Sequence, residues 1–412
     1  MWLVLALHAP LAAAEPLTLE RAVAAALAGD PGLRALAASE ASEREMATAD
    51  AALPDPMVGI SAFNFPVDSF KFDQEPMTQY RISVRQELAR GNSQALKREW
   101  REVRASRYDT LARERRADVT RQVSVGWLDL YAAARVVELL DESAPSFVEL
   151  ESVSEAQYAV GRGSQQDVVR AGLEQQRLQD RLLRARDAVA AARDRLARWI
   201  GGLARLPLSE HVSLTEVQPA TSEEWQARLQ KHPLIIAQDD TITERSVERE
   251  VFEQEYKPRF GVEVAYGLRD GENLDGSDRA DFLTVGVTFD LPLFTATRQD
   301  RRVAAARLQT DAARDARLDA LRQLKQRLDD ALRAQSLQQQ RVALFEAQII
   351  PASEQSALAA LAGYRSDASD FAEVVRAHIE WLDARIELER ARAFELGAEA
   401  ELRYLSIGED PS

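Results

Sequence analysis

The sequence contains no cysteine. That excludes disulfides, a thiol nucleophile, a cysteine-held metal and a lipid-bearing N-terminal cysteine. Its 4 histidines, His8, His211, His232 and His378, lie far apart and show no ligand spacing, so no metal site is expected. The 4 methionines include the initiator and form no ladder for a soft metal. No apolar run reaches the roughly 18 residues that a transmembrane helix requires. The chain has no G-x-S-x-G, no H-E-x-x-H and no phosphate-binding glycine loop. It has no recognisable carboxylate pair with a pocket either, so it is not expected to be an enzyme or to carry a cofactor. Basic residues are in deficit, 52 against 67 acidic ones, and the net charge of -15 argues against nucleic acid as a partner.

What is present begins at the N-terminus. Trp2 to Leu7 is apolar, and Ala12-Ala13-Ala14 precedes Glu15 as at a signal-peptidase site, although no basic residue precedes the apolar run. Residues 1–14 are read as a secretory signal, with a buried N-terminal segment as the alternative. Hydrophobic content of 46% and charged content of 29%, over 412 residues, fit a folded chain.

The chain also repeats itself. Tyr158 and Val168-Val169-Arg170-Ala171 recur as Tyr364 and Val374-Val375-Arg376-Ala377. In the same register Pro145 answers Pro351, Glu174 answers Glu380, Leu182 answers Leu388, and Arg184-Ala185-Arg186 answers Arg390-Ala391-Arg392. Asp30-Pro31 recurs as His232-Pro233, and Pro56 and Gly59 as Pro258 and Gly261. Two halves therefore build the same object. The first repeat covers 15–201 and the second 232–408. A linker and equatorial segment, 202–231, lies between them, and 409–412 is a tail.

Each half reads as helix, hairpin, long helix, turn and returning helix. Thr18 caps a helix that Asp30-Pro31 interrupts before it continues to Leu53. The first hairpin is 57–88, with strands Met57 to Phe65 and Tyr80 to Leu88. The second is 259–293. Leu283, Val285, Val287, Phe289 and Leu291 form one apolar face there, opposed by Thr284, Gly286, Thr288 and Asp290. In the first hairpin Tyr80, Ile82, Val84 and Gln86 share one face, and Arg81, Ser83, Arg85 and Glu87 the other. Long helices follow, opened by Gly91-Asn92-Ser93 and by Thr295 or Thr297. About 65 residues of helix span roughly 95–100 Å. Pro145 and Pro351 are expected to kink or rephase them. Tip turns fall at 158–167 and 364–373, and return helices cover Gln165 to Ile200 and Phe371 to Leu405. The fold class is mainly α, with duplicated long helical hairpins and four strands. A sheet with one apolar face and free edges must dock or close with copies of itself.

In order and spacing these features resemble the TolC-type outer-membrane efflux proteins over essentially the whole chain. The resemblance is carried by Leu17-Thr18-Leu19 with Ala22, Ala25-Ala26-Leu27 and Asp30-Pro31, and by the strand from Pro56 to Ala62. It is carried further by Arg85-Gln86-Glu87-Leu88, by Phe289-Asp290-Leu291-Pro292-Leu293, and by Tyr158-x-x-Gly161-x-x-Ser164-x-x-Asp167-Val168-Val169. Its length and lack of a lipid-bearing cysteine make the chain most similar to the heavy-metal (CzcC-like) branch. The resemblance implies a homotrimer in outer-membrane lipid. Twelve strands would close one β-barrel, and the helices would form a hollow α-barrel in the periplasm. The tips would meet a periplasmic adaptor coupled to an inner-membrane pump. The implied function is a passive exit duct, with divalent heavy-metal cations as the expected cargo. A duct for drugs, dyes, solvents or secreted protein is the alternative, and a periplasmic coiled-coil scaffold or adaptor is a second.

Site residues follow from the tips. Gly161, Arg162, Gly163, Ser164, Val168 and Val169 at the first tip, and Asp367, Ala368, Ser369, Val374 and Val375 at the second, are candidates for adaptor contact. For the valines, core packing is the competing role. Asp167, Asp370 and Glu373 are candidate gate carboxylates held by Arg365 or Arg162; ordinary acid placement at helix N-termini is the equally weighted alternative. Ser164 and Asp370 are expected N-caps. Glycine in the first turn is answered by Asp367 in the second, so the tips are unequal.

Overall fold

A computed structural model describes residues 15–209, 212, 214, 217–366 and 368–407. The signal at 1–14, His8, His211, Asp367 and the tail lie outside the described residues. The chain divides into two compact units: Met1–Arg34, Arg113–Pro233 and Leu321–Ser412 form one, Ala35–Ala112 and Leu234–Ala320 the other.

The fold is mainly α with one small sheet. Helix α1 (Leu19–Gly29) starts where Thr18 accepts the Arg21 amide, and buries Leu19, Ala22 and Ala26 at helical spacing. Asp30 ends it, and Pro31 opens α2 (Pro31–Ala51). The Asp30 carboxylate accepts the Leu33 amide at 2.8 Å and pairs with Arg115 at 2.9 Å. The Arg115 guanidinium holds that carboxyl below its usual range. Strands β1 (Met57–Phe63) and β2 (Gln79–Glu87) lead to α3 (Ser93–Ala159) and α4 (Gln165–Ile200). A 3-10 turn at Gly201–Arg205 and α5 (Ser222–Gln230) lead to α6 (Pro233–Glu253). Strands β3 (Phe260–Leu268) and β4 (Phe282–Phe289) follow, then α7 (Gln299–Leu344), α8 (Ile350–Arg365) and α9 (Phe371–Ser406).

In the first unit the main core surrounds Trp127, with Leu17, Leu19, Val123, Leu130 and Leu196. The Trp127 indole N–H donates to the Leu17 carbonyl at 3.2 Å. The N-terminal segment is stitched down by Leu17 N–H to Pro207 O at 2.7 Å and Ser209 N–H to Leu17 O at 3.2 Å. Thus part of the expected linker is ordered structure, and its helix α5 carries a Thr221–Glu224 capping box.

In the second unit the four strands form one antiparallel sheet in the order β1-β2-β3-β4. Beneath the sheet the helices are tied by ions: Arg101 reaches Glu43 at 2.9 Å and Asp50 at 2.8 Å, and Arg317 reaches Asp239 at 2.6 Å.

Several sequence expectations need correction. Strand β1 stops at Phe63 rather than Phe65, because Asn64 takes a left-handed φ of 51°. Helix α7 opens at Gln299 rather than at Thr295 or Thr297. The Thr295 carbonyl is engaged in a turn to Arg298 and Asp300 first. The two prolines act differently. Pro145 sits inside α3, which stays α-helical throughout, whereas Pro351 follows a π-helical segment at Phe345–Ile349.

Candidate functional site: an apolar sheet face and two unequal tips

Pairing in the sheet aligns Val58 with Val84, Val84 with Val264, and Val264 with Val285. The row beside it is Ile60, Ile82, Tyr266 and Leu283. Because side chains alternate along a strand, both rows lie on one face. Every one of these eight side chains is exposed. The apolar face is therefore continuous across all four strands and open, with β1 and β4 as its edges. The opposite face is small and polar, and it holds one charged cluster. Glu263 accepts from Arg81 at 2.7 Å and from Arg85 at 2.6 Å. Glycines on that face make room for neighbours: a Cβ on Gly261 would stand 2.9 Å from Thr288 Oγ1. Sequence periodicity identified the two faces. The triad itself needed the β2–β3 register, which no local pattern specifies.

The first tip joins α3 to α4. Gly161 has a φ of +72°, the left-handed region that favours glycine. The amides of Arg162 and Gly163 both donate to the Gln157 carbonyl, at 2.9 and 3.0 Å. A Cβ on Gly163 would come within 3.1 Å of the Tyr158 backbone nitrogen. Ser164 caps α4 as expected, and the cap is reciprocal: Asp167 N–H donates to Ser164 Oγ at 3.2 Å, and Ser164 N–H donates to Asp167 Oδ2 at 3.0 Å. Asp167 is thus engaged in a capping box. Arg162 and Val169 are exposed, and Val168 is half-buried.

The second tip joins α8 to α9 and is built differently. Asp370 holds the N-cap position, but its side chain makes no capping bond to the first turn. Instead Ser369 Oγ donates to the Ala360 carbonyl at 2.9 Å, and the Ala368 amide donates to the Gly363 carbonyl at 2.8 Å. Asp370 and Glu373 are left exposed. Arg365 joins neither of them; it pairs with Glu149 of α3 at 2.5 Å. Glu149 carried no signal in the sequence. Val374 and Val375 are buried within the chain, packed with Leu150, Ala360, Tyr364 and Phe371. That burial supports core packing, the role that competed with adaptor contact for these valines.

No protein-family model matches the chain, and no curated protein matches it. Its fold, however, is shared with solved outer-membrane channels. CusC, described as forming a transmembrane channel, superposes with a TM-score of 0.79 at 13% identity, over 94% of this chain and 92% of that one. The outer-membrane channel CmeC of Campylobacter jejuni gives 0.77 at 14% identity, over 95% and 85%. The outer-membrane protein VceC of Vibrio cholerae gives 0.77 at 17% identity, over 94% and 96%. These are channel and outer-membrane proteins rather than enzymes. The chain has their protomer fold. No described helix is long and apolar enough to cross a membrane.

Proposed function

We propose that the chain is the protomer of a TolC-type outer-membrane duct, the exit channel of a tripartite efflux system. The observation that carries this reading is the open apolar face on all four strands, bounded by unpaired edges β1 and β4. In water such a face and such edges are unstable or sticky. In lipid they find a solvent once the edges close, because a spanning sheet must pair every backbone group. Four strands are too few to close a membrane barrel alone, since the smallest such barrels have about eight. Three copies supply twelve, and the polar face then lines water.

The long hairpins α3–α4 and α8–α9 would extend the duct into the periplasm, with the tips toward an adaptor and an inner-membrane pump. The first tip, with exposed Arg162 and Val169, is the better contact surface. Asp370 and Glu373 at the second tip, exposed and unused in capping, are the better gate candidates. Divalent heavy-metal cations are the proposed cargo, supported by the resemblance to the heavy-metal branch alone. Deleting the gene tests the function. Hypersensitivity to zinc, cobalt, cadmium, nickel or copper supports a metal duct. Sensitivity to dyes and detergents alone moves the same duct to organic cargo. No sensitivity of either kind contradicts the efflux role.

A further inference from the structure

The water-facing side of the sheet is nearly bare of charge. At mid-strand its positions are glycine, serine, alanine and threonine, apart from Arg81, Arg85 and Glu263. Glu87 stands at the end of β2 and is answered by Arg259 at 3.3 Å. Across β2 and β3 a single carboxylate thus serves two guanidiniums. Its Oε1 takes Arg81, and its Oε2 takes both Nε and Nη2 of Arg85, at 3.0 and 2.6 Å. Each guanidinium is fixed by the bond, yet together they keep one uncompensated positive charge per chain. Apart from Met57, which pairs with Arg85 at the start of β1, the neighbours are short, and these two side chains are the long charged groups reaching from that face.

We propose that Arg81 and Arg85, locked in place by Glu263, form an anion-favouring constriction on the wall of the duct. It passes anionic or anion-complexed cargo more readily than free hydrated divalent cations. This inference rests on the duct reading and revises its cargo: a heavy metal would leave as an anionic complex rather than as a free hydrated divalent cation. In a threefold barrel the cluster recurs around one narrow lumen, where low-dielectric walls focus its field. The loop joining β3 to β4 carries Asp270, Glu272, Asp275, Asp278 and Asp281 against Arg269 and Arg279; it lies near Arg81, which pairs with Gly267, but does not cancel the field at Arg85. Arg85 pairs with Glu263, six residues along β3 from Arg269. At about 3.4 Å per residue that is roughly 20 Å, beyond a Debye length of about 8 Å. The loop attracts cations to the rim, while the cluster opposes them inside.

The absence of cysteine makes a direct test possible. Ser83 lies on the same face between the two arginines, so Ser83→Cys places one thiol beside the cluster. Its modification rates with an anionic (sulfonatoethyl) and a cationic (trimethylammonioethyl) methanethiosulfonate are compared in outer-membrane trimers. The anionic-to-cationic rate ratio should fall about tenfold when Arg81→Gln and Arg85→Gln are added, as expected for a local potential of a few kT. It should rise with Glu263→Gln. As a second readout, the reversal potential in a KCl gradient should shift toward cation selectivity for Arg85→Gln and hold for Arg85→Lys. A trimer whose rate ratio and reversal potential ignore these substitutions overturns the constriction alone. A chain recovered only as a soluble monomer overturns the duct and the constriction together.

Discussion

Tyr158 and Tyr364 hold the same place in the duplication and opposite places in the structure. Tyr158 is 51% exposed; Tyr364 is 8% exposed and lies 5.2 Å from Phe371 between ring centres. The residue answering Phe371 in the first half is Gln165, so the first tip has no aromatic partner to cover its tyrosine. The second tip is thus packed into a core that it shares with Leu150 and Ala171 of the first hairpin, while Tyr158 at the first tip stays at the surface. Phe371→Ala should lower stability by about 3–5 kcal/mol through a buried cavity. Tyr158→Ala should stay within about 0.5 kcal/mol. Denaturant unfolding of the purified protein, followed by near-ultraviolet circular dichroism, measures both.

The first tip depends on its glycines and its cap. Gly161→Val forces a branched side chain into the left-handed region and should cost about 1–2 kcal/mol. Ser164→Ala removes the capping box and should cost about 1 kcal/mol. Hydrogen exchange of the amides in 157–167 reports both locally. Equal protection in the variants and the parent would contradict the geometry described for this turn.

Much of this was legible beforehand, for identifiable reasons. Alternation with a period of two exposed both faces of β4, and Ser164, Thr18 and Asp30-Pro31 punctuated the helices where the structure ends them. The inequality of the tips was half legible: Gln165 facing Phe371 in the repeat is a sequence fact. The burial of Val374 and Val375 was not, because equivalent valines at 168 and 169 remain half-buried and exposed. The phase change before Pro351 was legible in that proline, which was expected to kink or rephase its helix; that Pro145 leaves α3 α-helical was not.

That π segment has a mechanical consequence. Upstream of it Leu324, Leu328 and Ala331 are buried; downstream Ala357, Ala360 and Tyr364 are buried. Counted along an uninterrupted α-helix, Ala357 would point about 80° away from Ala331. The wider turn absorbs that angle and keeps one buried stripe. Deleting Ala347 should restore α-helical bonding and keep Tyr364 against Phe371, because one residue fewer at about 100° per residue removes the same angle that the wider turn absorbs. Limited proteolysis between Arg365 and Phe371 should then stay at the parent rate, and accelerated cleavage there would contradict this phase account.

His232 supplies a pH dependence. It is buried, its Nε2 donates to the Tyr404 carbonyl at 3.1 Å, and burial pushes its pKa down to about 4 from 6.5. The neutral form is favoured in the folded state, so its contribution is intact above pH 6.5. It is lost as pH falls from 6.5 to about 4, where the unfolded chain takes the proton first. The loss is on the order of 3 kcal/mol, since each tenfold change in proton affinity is worth about 1.4 kcal/mol. His232→Gln should flatten the stability profile in that window. The Asp30 carboxyl, held below its usual range, acts only at lower pH and does not confuse the comparison.

The central claim is that edge β1 of one chain pairs with edge β4 of another in the outer membrane. Paired cysteines in the cysteine-free chain test it most directly, with Ser61→Cys combined in turn with Thr284→Cys, Gly286→Cys and Thr288→Cys. On oxidation of isolated outer membranes, one combination should give covalent dimers and closed trimers on denaturing gels, and each single variant should stay monomeric. Monomers alone from every combination, with the protein in the soluble periplasmic fraction, would contradict the account.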